Sequence, residues 1–129
     1  MIKFNLENYD VVFISYDEPN ADENWADLLT KVPKAKRVHG VKGLATAHRK
    51  AGSLSTTDKT ITIDGDNRLY RDLVRGTFEM DAEFNFAETL LNWPSKNIIN
   101  GLEYGNGGIK LWPTHILANC STDEYALPG

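Results

Sequence analysis

The stretch TITIDGDN, residues 60–67, decides how the middle of this 129-residue chain folds. Its alternating Thr and Ile side chains favour a β-strand, and the run stops at Asp64 and Asp66, which are separated by one glycine. Asp, Gly and Asn all favour turns, so one interpretation is a strand that ends in a tight turn. The other is a metal site, because Mg²⁺ and Mn²⁺ prefer oxygen ligands such as paired carboxylates.

Two segments upstream have equally clear patterns. Residues 10–16 (DVVFISY) form a continuous apolar run, which is typical of a strand buried on both faces of a parallel sheet. A helix is predicted next, because Asn20 and Glu23 have the spacing of a capping box and the apolar residues of 25–32 recur at helical spacing. Pro33 ends that helix.

The pattern then repeats towards the TITIDGDN stretch. A short strand is predicted at residues 35–39, a glycine-marked break at 40–43, and a second helix over 44–53. The resulting order, βαβαβ, predicts right-handed crossovers and a parallel sheet with helices on its faces. Ligands of such sheets bind beyond the carboxyl ends of the strands. The chain that follows residues 10–16 and Asp64 should therefore lie at one rim.

The second half of the chain has weaker signals. Residues 70–79 fit either a strand or a helix, and the apolar residues of 81–93 fit no single period. The glycine-rich and asparagine-rich residues 100–108 are interpreted as a loop, and residues 109–112 (IKLW) as a strand.

Composition limits the classes of function. At 41% hydrophobic and 25% charged residues, the chain is expected to form one folded domain. The net charge of −4 argues against general nucleic-acid binding. The single cysteine, Cys120, excludes an internal disulfide. With no apolar run of membrane-spanning length, we expect no membrane association and a cytoplasmic location, in the host cytoplasm if the protein is viral.

The segment GLATAHRKAG, residues 43–52, followed by a short spacer and TITIDGDN, resembles the central signature of family-two, GT-A fold glycosyltransferases. In that family a glycine-initiated helix leads into a strand that ends in a DxD motif. Short phage-encoded members are the most similar, and the resemblance covers about residues 10–113. It implies a three-layer α/β sandwich with a mainly parallel central sheet, a compact or truncated GT-A domain. Residues 1–69 would form the nucleotide-binding half and residues 70–129 an incomplete acceptor half.

The resemblance also implies a set of site residues. Asp66 would bind a divalent cation, Mn²⁺ or Mg²⁺, that bridges the diphosphate of a nucleotide sugar, and Asp64 would contact the ribose or share the metal. The base would lie at the end of the first strand. The residues at that strand end, with the two candidates for the basic helix position, are Ser15, Tyr16, Asp17, His48 and Arg49.

A second set of residues is a candidate for contacts to the sugar or acceptor. The glycine-rich segment would let the backbone approach a sugar closely, and an aromatic ring could stack on the sugar face. These candidates are Gly107, Gly108, Lys110 and Trp112. Several candidates of the two sets also have a plainer interpretation: the glycines as a connection, Trp112 and His48 as core residues, and Arg49 as a solvated side chain.

Several hypotheses stay open at this point. The leading one is a metal-dependent glycosyltransferase, with no catalytic base assigned, since Asp123 and Glu124 are the only acidic residues after the IKLW segment. The alternatives are a non-catalytic nucleotide-sugar-binding module and, with less support, a haloacid-dehalogenase-like phosphatase. A homodimer could complete the acceptor half, which residues 70–129 form only in part. An EF-hand is excluded, because Arg68 and Arg75 occupy positions where that loop needs oxygen ligands.

Overall fold

The computed structural model describes residues 2–69, 76–81, 85–96 and 103–120. The strands are β1 (Ile2–Asn5), β2 (Asp10–Ser15), β3 (Lys36–His39), β4 (Lys59–Asp64), β5 (Thr77–Met80), β6 (Leu91–Lys96) and β7 (Glu103–Pro113). The helices are α1 (Ala21–Lys31), α2 (Leu44–Leu54) and α3 (Thr114–Ala118), with short 3₁₀ turns at Leu6–Asn8 and Phe86–Glu88. No helix in these ranges is long and apolar enough to cross a membrane.

A five-stranded sheet in the order β3-β2-β4-β7-β6 forms the centre of the fold. Strands β3, β2 and β4 are parallel and are connected through α1 and α2, so the predicted βαβαβ order of residues 10–64 is confirmed. The register pairs Ile14 with Val38 on one side and with Asp64 on the other. The carboxyl ends of β2, β3 and β4 therefore meet at one rim.

The predicted three-layer GT-A sandwich with a mainly parallel sheet is wrong. Strand β7 is antiparallel to both β4 and β6, and β1 pairs with β5 in a separate antiparallel sheet, so antiparallel pairings outnumber parallel ones. The domain is a small mixed α/β fold. The physical reason lies in the connection: residues 97–102 between β6 and β7 are too few for the crossover that a parallel pair requires.

The second half of the chain also departs from its predicted elements. The predicted loop at 100–108 overlaps β7, which already begins at Glu103. Strand β5, Thr77–Met80, supports the strand interpretation at the end of 70–79, whereas residues 70–75 lie outside the described residues. Asp123 and Glu124 also lie outside them.

Side-chain alternation buries the central sheet on both faces. One face packs against α1 and the β1–β5 sheet, and its core includes Phe13, Leu28, Ile61, Ile63 and Leu111. The other face packs against α2 and α3, and its core includes Val12, Ile14, Ala47, Ala51 and Trp112. At Gly52 a Cβ would lie 2.5 Å from the backbone nitrogen of Ala118, so a glycine lets α2 approach α3 this closely.

Lys59 is a buried cation with a structural explanation. Only 1% of the residue is exposed, and its ammonium donates to the backbone oxygen of Phe86 and lies 4.1 Å from the centre of the Phe86 ring. Burial lowers the pKa of Lys59, although the charges of Asp58 and Glu88 oppose this shift. The side chain thus anchors the Phe86–Glu88 turn to the sheet.

Candidate functional site

A cleft of about 430 Å³ opens at the carboxyl ends of β2 and β4. One wall is the chain that leaves β2, with Tyr16 and Glu18, and the opposite wall is the start of α2. The turn after β4 contributes Asp64 and Asp66. The two strand ends that the sequence assigned to one rim therefore line a common cleft.

The DGD segment is a turn, and its carboxylates still line the cleft. The backbone N–H of Asn67 donates to the backbone oxygen of Asp64 at 2.9 Å, which closes the turn. From α1, the Asn24 amide donates to the carbonyl of Gly65 at 3.0 Å, and Asn24 accepts in turn from Arg68 at 2.9 Å. The turn of residues 64–67 does not exclude a metal site, because both aspartates of the turn still line the cleft.

Two glycines allow the neighbouring elements to close on this turn. A Cβ at Gly65 would lie 2.6 Å from Glu18 Oε1 and 2.8 Å from the Cβ of Ser15. A Cβ at Gly108 would lie 3.0 Å from the Cβ of Asp64. Both approaches are closer than side chains tolerate without rearrangement. Larger residues here would push the Asp64 carboxylate or the Glu18 loop out of position.

The Asp64 carboxylate is the unusual group of the cleft. The residue is partly buried, yet no described residue donates a hydrogen bond to its carboxylate. Burial raises the pKa of Asp64, the Lys110 ammonium lowers it, and the carboxylates of Asp66 and Glu18 raise it again, to about 6 in total. Buried carboxylates are normally hydrogen-bonded or paired. Among the described residues, the Asp64 carboxylate thus has like-charged neighbours and no donor, in a cleft that a ligand can enter.

Three of the predicted nucleotide-binding residues are at or near the end of β2. Tyr16 is 49% exposed and lies at the mouth of the cleft. Ser15 also lines the cleft but is buried, and its hydroxyl bonds to His39 Nδ1 at 2.7 Å and accepts from Arg37 Nε at 3.0 Å. Asp17 is exposed and is not part of the cleft wall.

The two candidates for the basic helix position do not line the cleft. His48 is 3% exposed; its Nδ1 bonds to the backbone oxygen of Leu44 at 2.8 Å, and its ring packs against Trp112 with centroids 5.5 Å apart. Burial lowers the pKa of His48, the bond to Leu44 raises it, and Lys110 lowers it again, with a net decrease. Arg49 donates to the backbone oxygen of Cys120 at 2.6 Å and so ties α2 to the end of α3.

The predicted sugar or acceptor residues are split by the structure. Trp112 is fully buried and its indole N–H donates to Thr62 Oγ1 at 2.9 Å, so its ring has no face available for a sugar. Gly107 and Gly108 lie in β7 rather than in a loop, and Gly108 packs against the turn. Lys110 is partly buried, and its charge acts on Asp64.

Sequence reasoning missed Glu18 and the start of α2. Glu18 Oε1 accepts from the backbone N–H of Tyr16 at 2.8 Å, which folds the loop back over the strand end. Its position directly after the first strand was a usable signal. Val41, Lys42 and Leu44 form the opposite wall, and they follow from the same crossover that places α2 against the sheet.

The donor set fits a divalent cation that shares its coordination with a ligand. In the described part of the chain, no group of three or more His, Cys, Asp or Glu side chains is arranged to hold a metal ion by itself. Asp64 and Asp66 offer two carboxylates, and the Asp64 carboxylate accepts from none of the residues that the structure describes. Mg²⁺ characteristically binds through one or two carboxylates together with water and substrate phosphates. The cleft matches that pattern rather than a closed protein cage.

Comparisons with protein-family models, with curated proteins and with solved structures find no match to this chain. The site geometry therefore carries the functional argument.

Proposed function

We propose that this cleft binds the diphosphate of a nucleotide sugar through a divalent cation held by Asp64 and Asp66, and that the protein transfers the sugar to an acceptor. The observation that carries the proposal is the Asp64 carboxylate, which lines a cleft without a hydrogen-bond donor from any described residue. The nearby carboxylates of Asp66 and Glu18 make its charge still less favourable. A divalent cation would remove that penalty.

The opposite wall of the cleft suits a diphosphate. Gly43 precedes α2 and provides no side chain to cap the helix, and the first turn carries no acidic residue. The free N–H groups of a first turn bind anions, assisted by the helix dipole. Lys42 lies on the same wall. A phosphate between this helix and a metal on Asp64 and Asp66 would have positive charge on both sides.

The mouth of the cleft suits a flat ring. Tyr16 and Leu44 are two of the large hydrophobic residues that remain exposed, at 49% and 42%, and both line the cleft. A nucleobase stacked on Tyr16 would cover exposed apolar surface on both walls. The volume of about 430 Å³ lies in the range of small-molecule sites.

The bound ion would neutralise the negative charge that develops on the leaving diphosphate. This chain's own residues would bind and orient the donor: the carboxylates at the turn, the start of α2 at the phosphates, and Tyr16 at the base. The same geometry would serve a non-catalytic binding module. We retain the cytoplasm as the proposed location, on the sequence argument.

Thermal unfolding tests the binding site directly. With MnCl₂ and UDP, GDP or ADP, each tested separately at about 100 times its Kd, we expect about 2.7 kcal/mol of stabilisation, or a rise in Tm of roughly 5 °C or more. Asp66→Ala should abolish the shift. Glu23→Ala removes another exposed carboxylate, on α1 and outside the cleft, and should keep it. No shift with any of the three nucleotides would refute the proposal.

Turnover separates the enzyme from the binding module. A transferase should slowly hydrolyse the matching nucleotide sugar when no acceptor is present, and this release should disappear in Asp66→Ala. Binding without any release would favour the non-catalytic module. Release of phosphate from simple phosphomonoesters, lost in Asp64→Ala, would instead favour a phosphatase.

A further inference from the structure

Lys110 occupies a defined position beside the carboxylates. In the antiparallel pair of β4 and β7 it is the register partner of Thr62. Side chains two residues apart on a strand share a face, so Lys110 lies on the same face of the sheet as Asp64 and as Trp112. The indole of Trp112, bonded to Thr62, identifies this face as the one covered by α2.

The charge of Lys110 acts on both neighbouring titratable groups of this face. It lowers the pKa of Asp64, against the larger effect of burial, and it lowers the pKa of His48, in the same direction as burial. The downward shift of the His48 pKa keeps the imidazole neutral also below its ordinary pKa, so it adds no second positive charge there. Among the described residues, Lys110 is the cation that stabilises the ionised Asp64.

A diphosphate in the cleft would carry more negative charge than the metal ion alone balances, and Lys42 on the cleft wall is one cation near it. Two carboxylates, Asp64 and Asp66, cancel the two positive charges of the metal ion. The negative charge of the diphosphate then remains to be balanced by cations of the protein. A lysine ammonium binds phosphate as a compact point charge.

We propose that Lys110, which lies beside Asp64 on the same face of the sheet, would bind the same diphosphate as the metal ion. The inference rests on the proposed function and deepens it. It moves Lys110 from the sugar or acceptor side, where the sequence had put it, to the phosphate side.

The role has a signature that a structural lysine does not share. In the cleft without a nucleotide, the Lys110 ammonium repels a metal ion bound at Asp64, so its removal should strengthen metal binding. Once the metal is bound, the same ammonium attracts the diphosphate, so its removal should weaken nucleotide binding. A residue that only maintained the fold would weaken both or change neither.

Lys110→Met tests this pair of opposite effects. We expect Mn²⁺ affinity, measured without nucleotide by electron paramagnetic resonance of free Mn²⁺, to rise about 3- to 10-fold. Affinity for UDP, GDP or ADP at saturating Mn²⁺, measured by calorimetry for each, should fall about 10-fold or more. Lys50→Met removes the same charge from the exposed surface of α2 and should change either affinity less than about 2-fold.

Lys110→Arg retains the charge and should restore nucleotide affinity to within about 3-fold of the original chain. Circular dichroism and thermal unfolding check that each variant is folded, and Lys110→Gln replaces Lys110→Met if the latter does not fold. If the original chain binds Mn²⁺ and a nucleotide, and the neutral variant binds both equally well, the role of Lys110 is overturned while the proposed function stands. If the original chain binds neither, the proposed function itself has failed.

Discussion

Two aspartates at opposite rims of the sheet have opposite surroundings. Asp10 begins β2 and Asp64 ends β4, and each lines a cleft. Asp10 Oδ2 accepts from the backbone N–H of Thr56 at 2.6 Å and from its hydroxyl at 2.9 Å, and Lys36 lies 4.0 Å away. The Asp64 carboxylate accepts no hydrogen bond from any described residue.

The pKa values of the two carboxyls shift in opposite directions. Burial raises the pKa of Asp10, but the bonds from Thr56 and Ser55 and the charge of Lys36 outweigh it and lower the pKa below its ordinary value. At Asp64, burial and the charges of Asp66 and Glu18 raise the pKa by more than the Lys110 ammonium lowers it. The cleft beside Asp10 is the larger, at about 600 Å³ against about 430 Å³. The choice of the Asp64 cleft as the proposed site therefore rests not on its size but on a carboxylate that no described residue donates to.

The largest expected effect is at Asp64. Asp64→Asn should raise the free energy of unfolding at pH 7 by about 3 kcal/mol without metal, because a pKa raised by roughly two units means that the ionised form destabilises the fold by that amount. The same variant should lose the Mn²⁺-dependent shift in Tm. Urea unfolding in EDTA measures the first effect. A loss of stability would mean that Asp64 has a partner that satisfies it.

A smaller effect of opposite sign is expected at Asp10. Asp10→Asn should lower the free energy of unfolding by about 1 to 2 kcal/mol at pH 7, because an amide cannot replace a carboxylate in its charge-assisted hydrogen bonds. Glu7→Gln neutralises an exposed carboxylate on the wall of the same cleft and should change the stability by less than about 0.5 kcal/mol. Equal effects in the two variants would remove the contrast between Asp10 and Asp64.

The parallel half of the fold could be predicted from the sequence, because each of its signals is local. The apolar run of 10–16, the helical spacing that ends at Pro33 and the alternation in 60–63 define elements without reference to distant residues. The antiparallel half depends on pairings between strands, since β7 pairs with the distant strand β4 as well as with its chain neighbour β6. The three glycines and the single asparagine of 103–108 disfavour a strand, so only the neighbouring strands reveal that this segment belongs to β7.

The site could be predicted in part, for a similar reason. Position after a strand was sufficient to bring Tyr16 and Asp64 to one rim. It could not separate Lys110, near the carboxylates, from Trp112, which is in the core, because both lie on one face of β7 and differ only in depth. The position of Glu18 soon after the first strand indicates this rim, but the hydrogen bond that its carboxylate accepts from the backbone N–H of Tyr16 could not be predicted.

The smallest and most specific expected effect is a change of stability with pH, which occurs in a different pH range for each aspartate. The pKa of Asp64 is about 6 in the folded chain against an ordinary 3.8. The folded state therefore holds this proton more tightly, and the resulting stabilisation is complete below about pH 4 and is lost as the pH rises through 6.

Asp64→Asn should accordingly match the original chain in stability near pH 4 and exceed it by about 1 kcal/mol more for each pH unit up to 6.

Asp10 acts in the opposite sense. Its folded pKa lies below 3.8, so its contribution is present above that pH and is lost as the pH falls through the lowered value. The deficit of Asp10→Asn should thus stay constant from pH 5 to 7 and shrink only in more acidic solution. Urea titrations of the three proteins in EDTA, at half-unit steps from pH 3.5 to 7, measure both ranges. Curves that run parallel for all three would show that neither carboxyl is shifted by folding.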